Sequence, residues 1–217
     1  MHKFSIMTTK VEAIVFDLGG VLIDLDIDAC IRACKEEIGF EKADEFLDPC
    51  HQKGVFMLLE KGEISKEQFA SEVISMCRPG TSVDEVTHAF RRLLVGVADY
   101  KVQLLKDLAS RYDLYLLSNN NEISMPESLS IFEKLGIPMD SIFRKLFLSY
   151  QMKMLKPGDE IFRTAIADIS VLSGVTASQM LFLDDSQKNV EAAIRNGMQS
   201  RLCPQGCDLR AVLADLL

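Results

Sequence analysis

The sequence predicts an α/β protein, a doubly wound parallel sheet with a small all-helical block inserted after its first strand. Three observations carry that expectation. Short runs that read as strands (13–16, buried on both faces, then 113–117, 145–148 and 180–183) alternate with amphipathic helical patterns. The first of them, Ala13-Ile14-Val15-Phe16, stops at a carboxylate, Asp17, followed by Leu18-Gly19-Gly20. Between it and the next strand, the stretch 27–94 has helical periodicity and no convincing parallel strand.

Each element has its own local reason. In the first run, β-branched Val15 and aromatic Phe16 favour extended backbone, and the two glycines allow a tight turn and close approach of the chain to a ligand. Asp24 to Asp28 reads as an acidic turn entering a helix that buries Ala29, Ile31, Ala33, Cys34 and Ile38 and stops at Gly39. The helical pattern continues through Phe46 and Leu47, Val55 to Leu59, Phe69 to Ile74, and Val83 to Leu94, with Gly62 and Pro79-Gly80 as punctuation. Ser65-Lys66-Glu67-Gln68 has the spacing of a capping box.

From Lys101 the alternation changes. Lys101–Arg111 is an amphipathic helix, and Asp113–Leu117 a strand ending at Ser118-Asn119-Asn120-Asn121. A helix over Ile123–Leu135 must carry Pro126 in its first turn. Lys145–Leu148 is a short strand, followed by a loop to Lys156-Pro157 and a helix over Asp159–Ile169. Met180–Leu183 ends at Asp184-Asp185, Ser186 caps a helix running to Asn196-Gly197, and a weak strand (Met198–Leu202) and a short helix from Asp208 follow. Right-handed crossovers place helices on both faces of such a sheet. Residues 1–26 and 95–217 then form the α/β core, with 27–94 as a helical insertion above the strand ends.

Composition excludes several classes. The 217 residues are 48% apolar and 26% charged, ordinary for a soluble globular protein. A net charge of −8 leaves no basic excess to neutralise a nucleic-acid backbone. The N-terminal stretch Met1–Lys10 lacks a signal-peptide core, and no run approaches the ~18 apolar residues of a membrane span. Cys30, Cys34, Cys50, Cys77, Cys203 and Cys207 are dispersed, without a second Cys/His pair at zinc spacing, and read as reduced structural thiols. The expected location is the cytoplasm.

The chemistry lies at the strand ends. Parallel strands put their carboxyl ends along one edge, so Asp17, Ser118-Asn119, Lys156 and Asp184-Asp185 can converge. Clustered carboxylates need protons or a cation. Oxygen ligands of this kind suit Mg²⁺, which takes its remaining ligands from water and phosphate. Lys156 and the Ser118 hydroxyl supply donors for phosphate oxygens, and Asp17 is placed to attack phosphorus and form an aspartyl phosphate. Each residue alone has a bland alternative as a turn residue, a solvated lysine or a helix-entry acid. Their shared position after apolar strands is what singles them out.

This four-part pattern resembles the haloacid dehalogenase-like (HAD) superfamily of hydrolases. Val15-Phe16-Asp17-Leu18-Gly19-Gly20-Val21 matches its first motif, Leu116-Leu117-Ser118-Asn119 its second, Lys156-Pro157-Gly158-Asp159 its third, and Phe182-Leu183-Asp184-Asp185-Ser186 its fourth. Asp-Leu-Gly-Gly-Val with Ile23-Asp24, and Glu60-Lys61-Gly62-Glu63-Ile64-Ser65, look most like the α-D-glucose-1-phosphate phosphatase branch. The resemblance implies a HAD-like Rossmannoid core, with the helical block as the family's cap. It also implies a Mg²⁺-dependent phosphatase of a small phosphorylated metabolite, a sugar phosphate favoured. Asp17 is then nucleophile and Mg²⁺ ligand, the Gly19 carbonyl a second ligand and Asp185 a direct one, with Asp184 binding directly or through water. Ser118, Lys156 and the Asn119 amide hold the phosphoryl group. Family phosphatases usually carry a second Asp, the general acid/base, where this chain has Gly19. Asp24 is near enough in sequence to replace it, but reads better as a solvated helix entry. Gly19 therefore leaves a second reading, a HAD-fold binding or regulatory protein with little turnover. A 2-haloacid dehalogenase is disfavoured by the paired acids. In the cap, His51, Lys53, Arg91 and Arg92 are candidates for substrate recognition.

Overall fold

Five strands in the order β5-β4-β1-β6-β7 form one parallel sheet: β1 (Ala13–Phe16), β4 (Asp113–Ser118), β5 (Lys145–Leu148), β6 (Met180–Asp184) and β7 (Gln199–Leu202). The computed structural model describes residues 9–47 and 54–217. The chain leaves β1 toward β4 and β5, then returns to β1's other side for β6 and β7. That reversal puts the topological switch point between the carboxyl ends of β1 and β6, where open α/β sheets bind ligands.

Strand periodicity sorts the core into two layers. Ile14, Phe16, Leu114, Leu116, Leu148, Leu181 and Leu183 pack on one face, against Leu104, Leu105 and Leu108 of α6 (Asp99–Ala109) and Phe132 of α7 (Ser124–Lys134). Val15, Tyr115, Leu117, Phe147 and Phe182 pack on the other, against Ile161, Phe162 and Ile169 of α10 (Asp159–Ser173) and Ala192 and Ala193 of α11 (Gln187–Arg195). The sheet is thus doubly wound. Pro126 occupies the first turn of α7, where its missing N–H is harmless. The α10 helix runs past the expected stop at Ile169 and ends at left-handed Gly174. Short helices α8 (Met139–Ile142), α9 (Ser149–Met152) and α12 (Leu209–Val212) complete this part.

The second region comprises α1 (Ile27–Ile38), α2 (Ala43–Phe46), α3 (Val55–Glu60), α4 (Lys66–Ile74) and α5 (Val83–Arg91). It has its own core, including Cys30, Cys34, Ile38, Phe40, Leu59, Phe69, Val73 and Phe90. Phe46, Phe56, Phe69 and Phe90 meet ring to ring at centroid distances of 5.0–6.2 Å. The Ser65/Gln68 capping box forms as the spacing predicts, and Ser82/Glu85 starts α5 in the same way.

Three expectations need correction here. Asp24 does not enter a helix: Asp24–Leu25 forms β2, paired antiparallel with β3 (Leu94–Gly96), and Asp26 is the N-cap that accepts from the Ala29 N–H. Leu94, read as the tail of a helix, belongs to that ribbon. Ser186 starts α11, but its side chain makes no capping hydrogen bond. Among the described residues, no helix is long and apolar enough to cross a membrane.

Candidate active site

Asp17 follows β1 directly. Its N–H donates to the Leu183 carbonyl at 2.8 Å, so the ladder to β6 extends one residue past β1 and fixes the Asp17 backbone. The side chain is nearly buried, and Oδ1 accepts from the Leu18 N–H at 2.7 Å. Asp184 ends β6 and is fully buried. Lys156 arrives from the loop before α10 and places its ammonium between the two carboxylates, 2.9 Å from Asp17 Oδ1 and 2.7 Å from Asp184 Oδ2. Its third donor contact is the Leu117 carbonyl at 3.0 Å. A lysine this enclosed is sustained by such pairing.

Asn119 explains how a loop lysine is held so firmly. Its Oδ1 accepts from the Lys156 N–H at 2.9 Å, and its Nδ2 donates to the Lys156 carbonyl at 3.0 Å. The structure therefore commits the Asn119 amide to the Lys156 backbone, leaving one N–H of the Nδ2 group for anything else. Ser118 is buried at the end of β4, where its hydroxyl donates to the Asn119 carbonyl at 3.3 Å. Asn121 Oδ1 accepts from the Ile123 and Ser124 N–H groups and so starts α7.

Asp185 adds a third carboxylate. One oxygen from each of Asp17, Asp184 and Asp185 lies within 4.8 Å of the others. Gly20 makes room for it: a Cβ on Gly20 would stand 2.1 Å from Asp185 Oδ2, and its φ of +75° also favours glycine. Gly19 is different. Its Cβ would meet Leu25 Cδ1 at 3.1 Å, so the space beside it holds a hydrocarbon side chain from β2.

Three carboxylates against one ammonium leave negative charge uncompensated. Burial pushes the Asp17 carboxyl up to about 8, with Asp184 and Asp185 adding to the rise and Lys156 opposing it. Asp185 is also raised, by burial first and Asp184 second. Burial alone would lower Lys156, but Asp17 and Asp184 outweigh it and hold the ammonium above its ordinary range. The lysine therefore stays charged, and the cluster is short of positive charge. A hard divalent cation fits this all-oxygen donor set. Asp17 and Asp185 have the oxygens to bind it. Asp184 has less to offer, because Lys156 holds Oδ2 while the Ser186 N–H (2.8 Å) and Asn189 Nδ2 (2.9 Å) hold Oδ1.

The other candidates lie elsewhere. Asp24 is engaged by Lys101, a buried lysine at 2.9 Å that also donates to the Leu22 carbonyl. Arg91 donates to the Ile123 carbonyl and Arg92 pairs with Glu37 at 3.5 Å. His51 and Lys53 lie outside the described residues, as does Cys50. A cavity of about 690 Å³ on the helical block is lined by Glu37, Lys66, Arg78 and Arg91, and by none of the strand-end acids. One residue of that block does bear on the site, and in the sequence it stands only in the Glu60–Ser65 stretch that resembles the family branch, with no role assigned to it. Glu60, last in α3, is partly buried; desolvation raises its pKa to about 7 and the Lys156 charge opposes that rise.

Known proteins resemble this chain over most of its length. A family model described as Haloacid dehalogenase-like hydrolase matches residues 14–202. The chain is 34% identical over 208 residues to a D-ribitol-5-phosphate phosphatase of Bacteroides thetaiotaomicron, covering 95% of this chain and 98% of the relative. A HAD family enzyme of Bacteroides thetaiotaomicron, solved in complex with magnesium and inorganic phosphate, superposes with a TM-score of 0.85 at 32% identity, covering 93% of this chain and 98% of that one. A predicted HAD-like family hydrolase of Porphyromonas gingivalis gives a TM-score of 0.84 at 34% identity, over 95% and 97% of the two chains. With the sheet order, the strand-end acids and these full-length matches in agreement, the chain belongs to the haloacid dehalogenase-like hydrolases.

Proposed function

We propose that the protein is a Mg²⁺-dependent phosphatase of a small sugar or polyol phosphate, working through an aspartyl phosphate on Asp17. The observation that carries this reading is the convergence of Asp17, Asp185 and the Asp184–Lys156 pair at the switch point of the sheet. Asp17 and Asp185, with the Gly19 carbonyl and Asp184 directly or through water, would hold the ion. Bound there, it supplies charge neutralisation and polarises phosphoryl oxygens.

The chain's own residues do the rest. Lys156 offers its charge to a phosphoryl oxygen while keeping Asp17 oriented, and the Ser118 hydroxyl donates to a second oxygen. Asn119 acts through the Lys156 backbone, which is a positioning role. An Asp17 oxygen bonds to phosphorus as the ester P–O bond breaks and the alcohol leaves. Water then attacks phosphorus, the acyl-phosphate P–O bond breaks, and inorganic phosphate and the free Asp17 carboxylate are released. The helical block, 27–94, serves as the cap over the core of 1–26 and 95–217. The relative that acts on D-ribitol 5-phosphate widens the substrate class from the anomeric sugar phosphate of the expected branch to an ordinary alkyl ester.

Leu25 beside Gly19 favours a second reading, binding with little turnover, because no side chain at that position can carry a proton. One assay separates the two. Phosphate release is measured over a panel of sugar, polyol and acyl phosphates, D-ribitol 5-phosphate included, with Mg²⁺. The phosphatase reading expects turnover that disappears with chelator and in Asp17→Asn. Undiminished turnover in Asp17→Asn removes the nucleophile assignment, and binding without turnover of any ester favours the second reading.

A further inference from the structure

An alkyl phosphate ester leaves as an alkoxide unless a proton meets it, and positioned acid/base groups contribute roughly 10²–10⁴-fold in rate. The usual carrier is absent at Gly19, where Leu25 fills the adjoining space. Nearby carboxylates are committed. Asp24 is held by Lys101, and both oxygens of Asp184 are taken by Lys156, Ser186 and Asn189. The remaining acids of the cluster, Asp17 and Asp185, are assigned to phosphorus and to the ion.

Glu60 is in a different position. Its backbone is fastened to the phosphate-binding loop: the Ser149 hydroxyl donates to the Glu60 carbonyl at 2.6 Å and accepts the Asn120 N–H at 2.9 Å, and Asn120 follows Ser118-Asn119. The following turn is fastened too. The Lys153 ammonium donates to the Gly62 carbonyl, and Gly62 lies so close to Tyr150 that a Cβ would be 2.1 Å from the Tyr150 carbonyl oxygen. This docking brings the end of α3 into the field of Lys156, the charged group that bears on the Glu60 carboxyl. Among the described residues, no hydrogen bond or ion pair holds that carboxyl, and its side chain is partly buried. A carboxyl so placed, titrating near 7, is available both protonated and ionised at neutral pH.

We propose that Glu60 is the proton-transfer residue that Gly19 cannot be. This rests on the phosphatase reading above. The Glu60 carboxylic acid gives its proton to the ester oxygen as the P–O bond to the alcohol breaks and the Asp17 oxygen bonds to phosphorus. The Glu60 carboxylate then takes a proton from the water whose oxygen bonds to phosphorus, as the Asp17–phosphorus bond breaks. Glu60 is reprotonated and Asp17 is free.

The test compares Glu60→Gln with the parent protein on a polyol phosphate and on p-nitrophenyl phosphate, whose leaving group needs no proton. Glu60→Gln should lower kcat on the polyol ester by about 10²–10⁴-fold at similar KM. On p-nitrophenyl phosphate it should spare the first turnover and accumulate phosphorylated Asp17, visible by mass spectrometry. In Glu60→Ala, added formate should restore part of the lost rate. Unchanged kcat overturns the assignment. So do equal losses on both esters with a raised KM and no phosphoenzyme, which mean that Glu60 binds substrate hydroxyls. If Asp17→Asn is inactive while Glu60→Gln is fully active, only the Glu60 assignment falls; if Asp17→Asn is active, the phosphatase reading falls as well.

Discussion

The sheet end and the helical block solve the same problem, burying a functional surface, in opposite ways. At the sheet end the buried groups are charged, and each is held by several partners: Lys156 by two carboxylates and a carbonyl, Asp184 by an ammonium, an N–H and an amide. In the helical block the interior is aromatic and aliphatic, and exposed ion pairs such as Lys35–Asp44 and Arg92–Glu37 lie outside it. Charges that are dry and cross-braced are dear to remove, whereas exposed pairs contribute about 0–1 kcal/mol.

The difference can be tested by breaking each side. Lys156→Met should be the most damaging: it strands Asp184 and Asp17 without their cation, costs about 3–5 kcal/mol of stability in denaturant melts, and abolishes turnover. Saturating Mg²⁺ should recover part of that stability, and a variant as stable as the parent would show that the pair is not ionised.

pH supplies the next test. A carboxyl raised from 3.8 to about 8 on folding binds its proton more tightly in the folded protein. Asp17 therefore contributes stability that is complete below about pH 4 and is lost as pH rises toward 8. Melting temperatures of chelated protein should carry this downward component across that window. Mg²⁺, which binds the ionised form, should remove it, and its apparent affinity should rise with pH over the same range. Identical pH profiles with and without Mg²⁺ would separate the ion from Asp17.

Gly20→Ala forces a left-handed alanine, about 1–2 kcal/mol, and drives a methyl into Asp185. Mg²⁺ affinity, read by calorimetry, should fall more than stability does. Ser82→Ala, in the helical block, should cost about 1 kcal/mol by removing the capping box of α5 and leave kcat/KM unchanged. A fall in activity there would show that the start of α5 is coupled to the chemistry.

The sequence was most informative where one residue's surroundings suffice. Apolar Val15-Phe16 and Phe182-Leu183 lie in short runs that form buried strands, and the acids that follow them land at the carboxyl edge because the sheet is parallel. The β2–β3 ribbon escaped notice because two or three residues show no alternation, and its pairing joins Asp24 to Gly96 across the whole block. Asn119 read as a phosphate donor since only the folded loop reveals Lys156 on both sides of its amide. Glu60 stands in the stretch Glu60–Ser65 that resembles the family branch, but the sequence assigns it no role for a similar reason. At the end of an apolar helical run, glutamate is the expected solvated residue, and only the docking of α3 on Ser149 changes its surroundings.

Ser149 has a consequence of its own. Its hydroxyl bonds to Glu60 in the block and to both the N–H and the carbonyl of Asn120 beside the phosphate loop. Any separation of the end of α3 from Ser149 must break the Glu60 bond, freeing a hydroxyl that is still attached to Asn120. The amide proton of Asn120 is then a resident gauge of that separation. Its chemical shift and exchange rate would follow opening and closing from a position next to the reacting groups, without a probe added to either half.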